Sequence, residues 1–231
     1  MRQIGENIWV HEDSMQMLGA PLGLRMTIVR LSNGGLWVHS PTALSPQLQE
    51  GIAALGQVAY LVAASNNHSK WLQDWCEAYP EAEVYVSAGI PCKVPLTHYH
   101  ILQPGMENVW AGDFEWQSMP SVPLFNETVF YHVPSQSLIV TDFIQHYPEQ
   151  DDYAGMVGMM TKYVFEPIGF KGCCVAPPLK MGFTLKDKPA FKRFISHIEA
   201  WAFTRIVVTH GTIIEDDAKA IFQDLTRRFL Q

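Results

Sequence analysis

Three short apolar runs, each stopping on a residue able to bind a metal or carry a proton, constrain this chain more than anything else in it. Val58–Ala63 passes through Ala64-Ser65-Asn66-Asn67 to His68. Leu138-Ile139-Val140 stops at Thr141-Asp142, and Ile206-Val207-Val208 stops at Thr209-His210-Gly211. Runs this short, bounded by polar residues, suit strands covered on both faces. In layered α/β proteins such strand ends are where ligands gather, because a rigid sheet holds the loops that follow. One Asp or His at a strand end is ordinarily a cap or a hydrogen-bonded residue. Three together point to a site.

The rest of the pattern supplies the layers. Residues 3–13 alternate and predict a first strand. Residues 26–31 and 36–40 flank Ser32-Asn33-Gly34-Gly35, whose Asn-Gly offers the positive φ of a tight hairpin. Ser45 as N-cap, Pro46 in the first turn and Gly56 as a stop predict a helix through Leu55. Residues 68–79 carry Trp71, Leu72, Trp75 and Tyr79 at helical spacing, with both tryptophans in the core, and 83–87 return as a strand. That passage is a right-handed parallel crossover. Residues 89–125, rich in Pro, Gly and Trp, read as loops with short strands near Trp110 and at 114–117. A second hairpin joins 128–132 to 137–142. Helices follow at 153–163, 188–202 and about 215–229, with a strand at 205–209. The expected class is α/β, two sheets face to face with helices outside, as one domain over residues 1–231.

Composition closes off other classes. With 48% hydrophobic and 17% charged residues, the chain has material for a packed core. A net charge of −7 with scattered Lys and Arg excludes a nucleic-acid footprint. No apolar run approaches the ~18 residues of a membrane span, and no leader-like h-region opens the sequence. Cys76, Cys92, Cys173 and Cys174 fit no zinc or redox spacing, so they read as free buried thiols in a reducing cytoplasm. His98 and His100 share a strand face without a third ligand and read as exposed histidines; His39 reads as bonded to backbone.

Four passages carry a resemblance: Arg25-Met26-Thr27-Ile28-Val29-Arg30-Leu31, Gly35-Leu36-Trp37-Val38-His39-Ser40-Pro41, Asn126-Glu127-Thr128-Val129-Phe130-Tyr131-His132 and Ser137-Leu138-Ile139-Val140-Thr141-Asp142. With the strand-ending Thr209-His210-Gly211, they resemble an uncharacterised branch of the metallo-β-lactamase superfamily. The resemblance implies a four-layer αβ/βα sandwich. Active members carry His-x-His-x-Asp-His after an early strand; here Ala63 and Ser65 stand at the first two histidines, Asn67 at the Asp and His68 at the last His. No His stands near Phe125-Asn126-Glu127, where another ligand is expected. Asp142 and His210 match the bridging Asp and the late His.

The resemblance thus implies a depleted metal set: His68, Asp142 and His210, with Asn67 as a weak fourth ligand because a neutral amide does not balance the ion's charge. Two imidazoles and a carboxylate suit one divalent ion, zinc first and manganese or iron next, with a place left for water. Asp142 and Glu127 are the expected catalytic carboxylates, Glu127 as general base. Asn66, Asn126 and His132 are expected at the pocket wall. Two functions stay open: a one-ion hydrolase acting on an ester, thioester or phosphoester, or a non-catalytic relative whose vestigial cleft binds a small molecule or a protein.

Overall fold

The computed structural model describes residues 1–17, 20–120, 122–147, 163, 166–167, 171–180 and 186–230. One sheet has seven strands in chain order: β1 (Arg2–Gly5), β2 (Ile8–Met17), β3 (Ala20–Arg30), β4 (Leu36–His39), β5 (Val58–Ala63), β6 (Glu83–Val86) and β7 (His100–Ile101). Its first four strands are antiparallel neighbours; from β4 to β7 the pairing is parallel. The second sheet contains β8 (Phe114–Ser118), β9 (Thr128–His132) and β10 (Ser137–Val140), and β13 (Arg205–Val208) lies parallel to β10. A small ribbon pairs β11 (Ile144–Tyr147) with β12 (Gly172–Val175). Among the described residues the helices are α1 (Pro46–Ala53), α2 (Leu72–Ala78), α3 (Pro177–Lys180), α4 (Lys188–Ala200) and α5 (Ala218–Leu230).

Side-chain alternation along the strands builds the layers. In β4 and β5, Leu36, Val38, Leu61 and Ala63 pack on Leu48 and Ile52 of α1 and on Leu72 and Trp75 of α2. The residues between them, Trp37 and Val62, face the other sheet and meet Phe114, Phe130, Ile139 and Val207. On that sheet's far face Leu138, Val140, Ile206 and Val208 pack on Phe191, Phe194 and Ile198 of α4 and on Phe222 of α5. Helix, sheet, sheet, helix is the result, the four-layer αβ/βα sandwich expected. Each fully buried Val, Leu, Ile or Phe contributes about 1.5–3 kcal/mol, so apolar strands with no wet face are what hold it. Among the described residues no helix is long and apolar enough to cross a membrane.

Local signals account for most boundaries. Ser45 Oγ accepts from Leu48 N at 3.2 Å to cap α1, and Asp187 Oδ1 accepts from Ala190 N at 2.9 Å to cap α4. The departures are physical. The single strand expected over 3–13 is a hairpin, because Asn7 takes φ +57° between β1 and β2. Helix α2 starts only at Leu72; residues 68–71 are not helical, with a turn at 70–71, leaving Trp71 half-buried while Trp75 is fully buried and donates from Nε1 to Thr42 O at 2.8 Å. Trp110 lies outside any strand, packed edge-on against Trp37 between the sheets. The ribbon β11–β12 has no counterpart in the sequence reading, and the helix expected at 153–163 lies outside the described residues except at Tyr163. Of the four cysteines expected to be buried, only Cys174 is; Cys76 and Cys173 are half-buried and Cys92 is exposed, in the loop after Pro91.

Candidate metal centre

Parallel pairing decides what meets at the edge of the sandwich. Val140 lies opposite Val208 in β10 and β13, so Asp142 and His210, each two residues further on, leave the sheet side by side. The exit from β5 is stitched to the second sheet before it reaches His68. Thr128 N donates to Ala64 O at 2.9 Å, and Asn66 N donates to Phe125 O at 2.8 Å. A turn with His68 N on Ser65 O at 3.1 Å then delivers the third side chain.

The three groups converge. His68 Nε2 lies 3.2 Å from Asp142 Oδ1 and 3.1 Å from His210 Nε2, and His210 Nε2 lies 3.6 Å from Asp142 Oδ1. All three side chains are nine-tenths buried or close to it. His210 Nδ1 sits 2.9 Å from Gly23 O. A carbonyl only accepts, so in the neutral ring Nδ1 carries the proton and Nε2 turns its lone pair to the centre. A lone pair and a carboxylate oxygen thus face the same point as His68 Nε2. Either a proton on His68 or a cation reconciles them. Burial opposes ionisation of Asp142, but the adjacent His68, whose Nε2 lies within hydrogen-bond reach of Oδ1, outweighs it and holds the carboxyl well below its ordinary range.

These donors fit a metal. Separations of 3.1–3.6 Å match the edges, about 3.3–3.4 Å, of a tetrahedron with ligands at ~2.0–2.1 Å from zinc. Among the described residues, this is the group of His, Cys, Asp and Glu side chains whose ligand atoms lie within 4.8 Å of one another. The other carboxylate oxygen of Asp142 is already engaged. Buried Ser65, standing where active relatives of the fold are expected to carry a histidine, donates its hydroxyl to Asp142 Oδ2. Asp142 therefore presents Oδ1 alone.

The remaining candidates fall in different places. Asn67 is exposed and lines a cavity of about 310 Å³ that opens onto His68, Asp142 and His210. Glu127 does not face that cavity. Its carboxylate is fully buried and accepts from Thr141 N at 2.7 Å, Asp142 N at 2.9 Å and Phe143 N at 2.7 Å. Burial and the Asp142 charge push its pKa up, and those three donors oppose them by stabilising the carboxylate. A general base must reach the proton it takes; Glu127 instead fixes the backbone that carries Asp142. Asn66 is tied up in the scaffold: Oδ1 accepts from Ser87 Oγ at 2.8 Å and Gly89 N at 2.9 Å, and Nδ2 donates to Pro123 O at 2.8 Å. Asn126 takes φ +43° at the turn before β9, a conformation Asn tolerates better than most residues. His132 ends the same strand that begins beside Glu127, five residues on and so about 16 Å away at ~3.3 Å per residue; it bonds Ser135 Oγ at 2.7 Å.

The other sequence histidines are accounted for without a ligand. His39 is buried, stacks on Trp37 at 5.3 Å and bonds Thr141 Oγ1 at 3.3 Å rather than backbone. Burial, reinforced by His68, lowers its pKa to about 3. His100 is exposed, stacked on Tyr85 and 3.8 Å from Glu83. Gln145, which the sequence did not single out, lines the cavity and is held by Tyr147 Oη at 2.8 Å. Apolar walls come from Leu24, Pro41, Trp71, Phe125 and Ala176.

Solved structures share this architecture. The metallo-β-lactamase from Pontibacter korlensis aligns with a TM-score of 0.61 at 12% identity, covering 97% of each chain. The DIM-1 metallo-β-lactamase aligns with a TM-score of 0.63 at 12% identity, over 98% of this chain and 95% of its own. A variant of the flavo di-iron protein from Thermotoga maritima aligns with a TM-score of 0.66 at 12% identity, over all of this chain and 60% of that one. At such identity the likeness is one of fold. No curated protein matches in sequence. Residues 5–157 match the family described as "Domain of unknown function (DUF4336)", more than half of the chain, and the protein belongs to that family, on a metallo-β-lactamase fold.

Proposed function

We propose that this protein is a metallo-hydrolase-like enzyme that holds one divalent ion, zinc first and manganese or iron next, at His68, Asp142 and His210, and cleaves an ester, thioester or phosphoester. The convergence of two imidazole nitrogens and one carboxylate oxygen at the floor of an open cavity carries the reading. Asp142 supplies the only formal negative charge among these ligands, through Oδ1, while Ser65 keeps Oδ2 engaged; that is a one-ion arrangement. His210 enters as a neutral ring with its tautomer fixed by Gly23 O. Bound there, a zinc-class ion supplies Lewis acidity and a water acidic enough to attack near neutral pH. Asn67 and Gln145 offer neutral amides to the polar part of a substrate, and Trp71 and Phe125 exclude water around its apolar part.

One observation favours a second reading. A single proton on His68 Nε2 satisfies the same three groups by hydrogen bonding, which leaves a folded cleft that binds a small molecule without catalysis. Elemental analysis separates the two, on protein purified without chelator or affinity nickel, beside a His68→Ala, His210→Ala double variant. One zinc, manganese or iron per chain, lost in the variant, supports the hydrolase and directs an ester, thioester and phosphoester screen. No metal in either protein after loading with excess zinc sinks it in favour of the binding cleft.

A further inference from the structure

We infer that Arg25 is a positioning residue for the metal centre: from the opposite sheet it grips the loop that carries His210 and so sets the direction of that imidazole. The inference rests on the ligand set proposed above. Arg25 sits inside the buried stretch Leu24-Arg25-Met26-Thr27-Ile28, where a charge is costly unless its donors find partners; both terminal nitrogens do, while the buried Nε has none. Its side chain is 7% exposed. Nη1 donates to Val208 O at 2.5 Å and Nη2 to Gly211 O at 2.6 Å, the two carbonyls that bracket Thr209 and His210. Nη2 also donates to Glu12 Oε1 at 3.1 Å, and Glu12 is the register partner of Arg25 across β2 and β3.

Two residues earlier on the same strand, Gly23 O receives the Nδ1 proton of His210. Strand β3 therefore holds His210 twice, once by its backbone through Arg25 and once by its ring through Gly23. The hairpin of β2 and β3 is thus part of the centre although it offers no ligand atom. A planar guanidinium spans two carbonyls with donors at fixed spacing; an ammonium is a single point and cannot replace it. Groups that orient a ligating histidine typically change metal affinity 10–100-fold when removed.

The test uses the full chain as Arg25→Met, Arg25→Lys and Glu12→Gln variants. Cobalt(II) affinity is read by competition with a chromophoric chelator, and ligand geometry by the cobalt visible band, both well below each variant's Tm. The ¹⁵N shifts of the His210 ring are read in chelator-treated protein, so that reading needs no metal. Arg25→Met is expected to weaken cobalt binding about 10–100-fold, to shift the band and to replace the single Nδ1–H tautomer by an averaged signal. Arg25→Lys is expected to fail to rescue any of the three, and Glu12→Gln to give a smaller change. A lowered Tm with wild-type affinity, band and ring shifts would make Arg25 merely structural and overturn the inference. If wild-type protein takes up no cobalt, the ligand set fails and the ring shifts alone judge Arg25. If Arg25→Met does not fold, a folded Arg25→Lys with wild-type affinity, band and ring shifts overturns the inference equally.

Discussion

Replacing Gly211 by alanine tests how the His210 loop is held. Gly211 has φ +89°, and a Cβ built on it falls on the His146 carbonyl oxygen, inside any contact distance. That carbonyl accepts from Thr212 N at 2.8 Å, and His146 N donates to His210 O at 3.2 Å, so the loop is clipped to β11 where the methyl group must go. The left-handed backbone alone costs alanine about 1–2 kcal/mol. Losing the two clips adds about 0.5–1.5 kcal/mol each. The sum is about 2–5 kcal/mol, or a fall in Tm of about 2–4 °C for each kcal/mol in a chain of this size. Gly105 is the control: its φ is +83°, but a Cβ there meets nothing within 4 Å, so Gly105→Ala carries only the backbone cost, about 1–2 kcal/mol. Thermal unfolding of both variants beside the parent is the assay. Equal losses in the two would refute the argument from close approach.

Three further outcomes are expected. Burial lowers the His132 pKa from 6.5 to about 4, with Asp113 opposing, so the unfolded chain takes up this proton first. The resulting stability is complete above about pH 6.5 and is lost as the pH falls towards 4; urea unfolding at pH 7.5 and 4.5 should show His132→Phe losing about 2–3 kcal/mol less than the parent, and identical losses would count against it. Glu127→Gln places an NH₂ group against backbone N–H donors and should cost about 1–3 kcal/mol for each N–H left unpaired. Thermal unfolding checks this, and full stability with abolished turnover would restore Glu127 as a base. Ser65→Ala strips a donor from ionised Asp142 and should cost about 1.5–3 kcal/mol, read the same way; an unchanged Tm would show that the hydroxyl contributes nothing.

What the sequence reveals about this molecule is governed by range. Val58–Ala63, Ser137–Val140 and Arg205–Val208 are legible because alternation and apolar length are local properties, and His68, Asp142 and His210 are legible because each follows such a run. The turn at Asn7 is hidden, since the polar pair Glu6-Asn7 interrupts an alternating stretch no more than its solvent-facing positions do. The ribbon of β11 and β12 is hidden because Gln145, His146 and Cys173 carry no strand periodicity. Ser65 and Arg25 act on partners 77 and up to 186 residues away, and Arg25 does so through backbone carbonyls, which leave no mark on residue type. Glu127 shows the converse. A carboxylate beside a candidate site looks like a base until the three amide groups that claim it are seen.

The Asn66 amide behaves as a non-covalent crosslink. Three of its four hydrogen-bonding positions join β5's exit to Ser87, Gly89 and Pro123, and its own carbonyl receives Lys93 Nζ at 2.7 Å. Gly89 is the residue that lets the segments close, since a Cβ there would lie 2.6 Å from the amide. The conformational entropy of the loop bearing His68 is therefore lost when the chain folds, before any ligand arrives. A loop frozen in advance neither reshapes itself around an ion nor releases order to a second ligand. On the one-ion reading proposed above, such a centre would discriminate by size and coordination number instead of by adaptation.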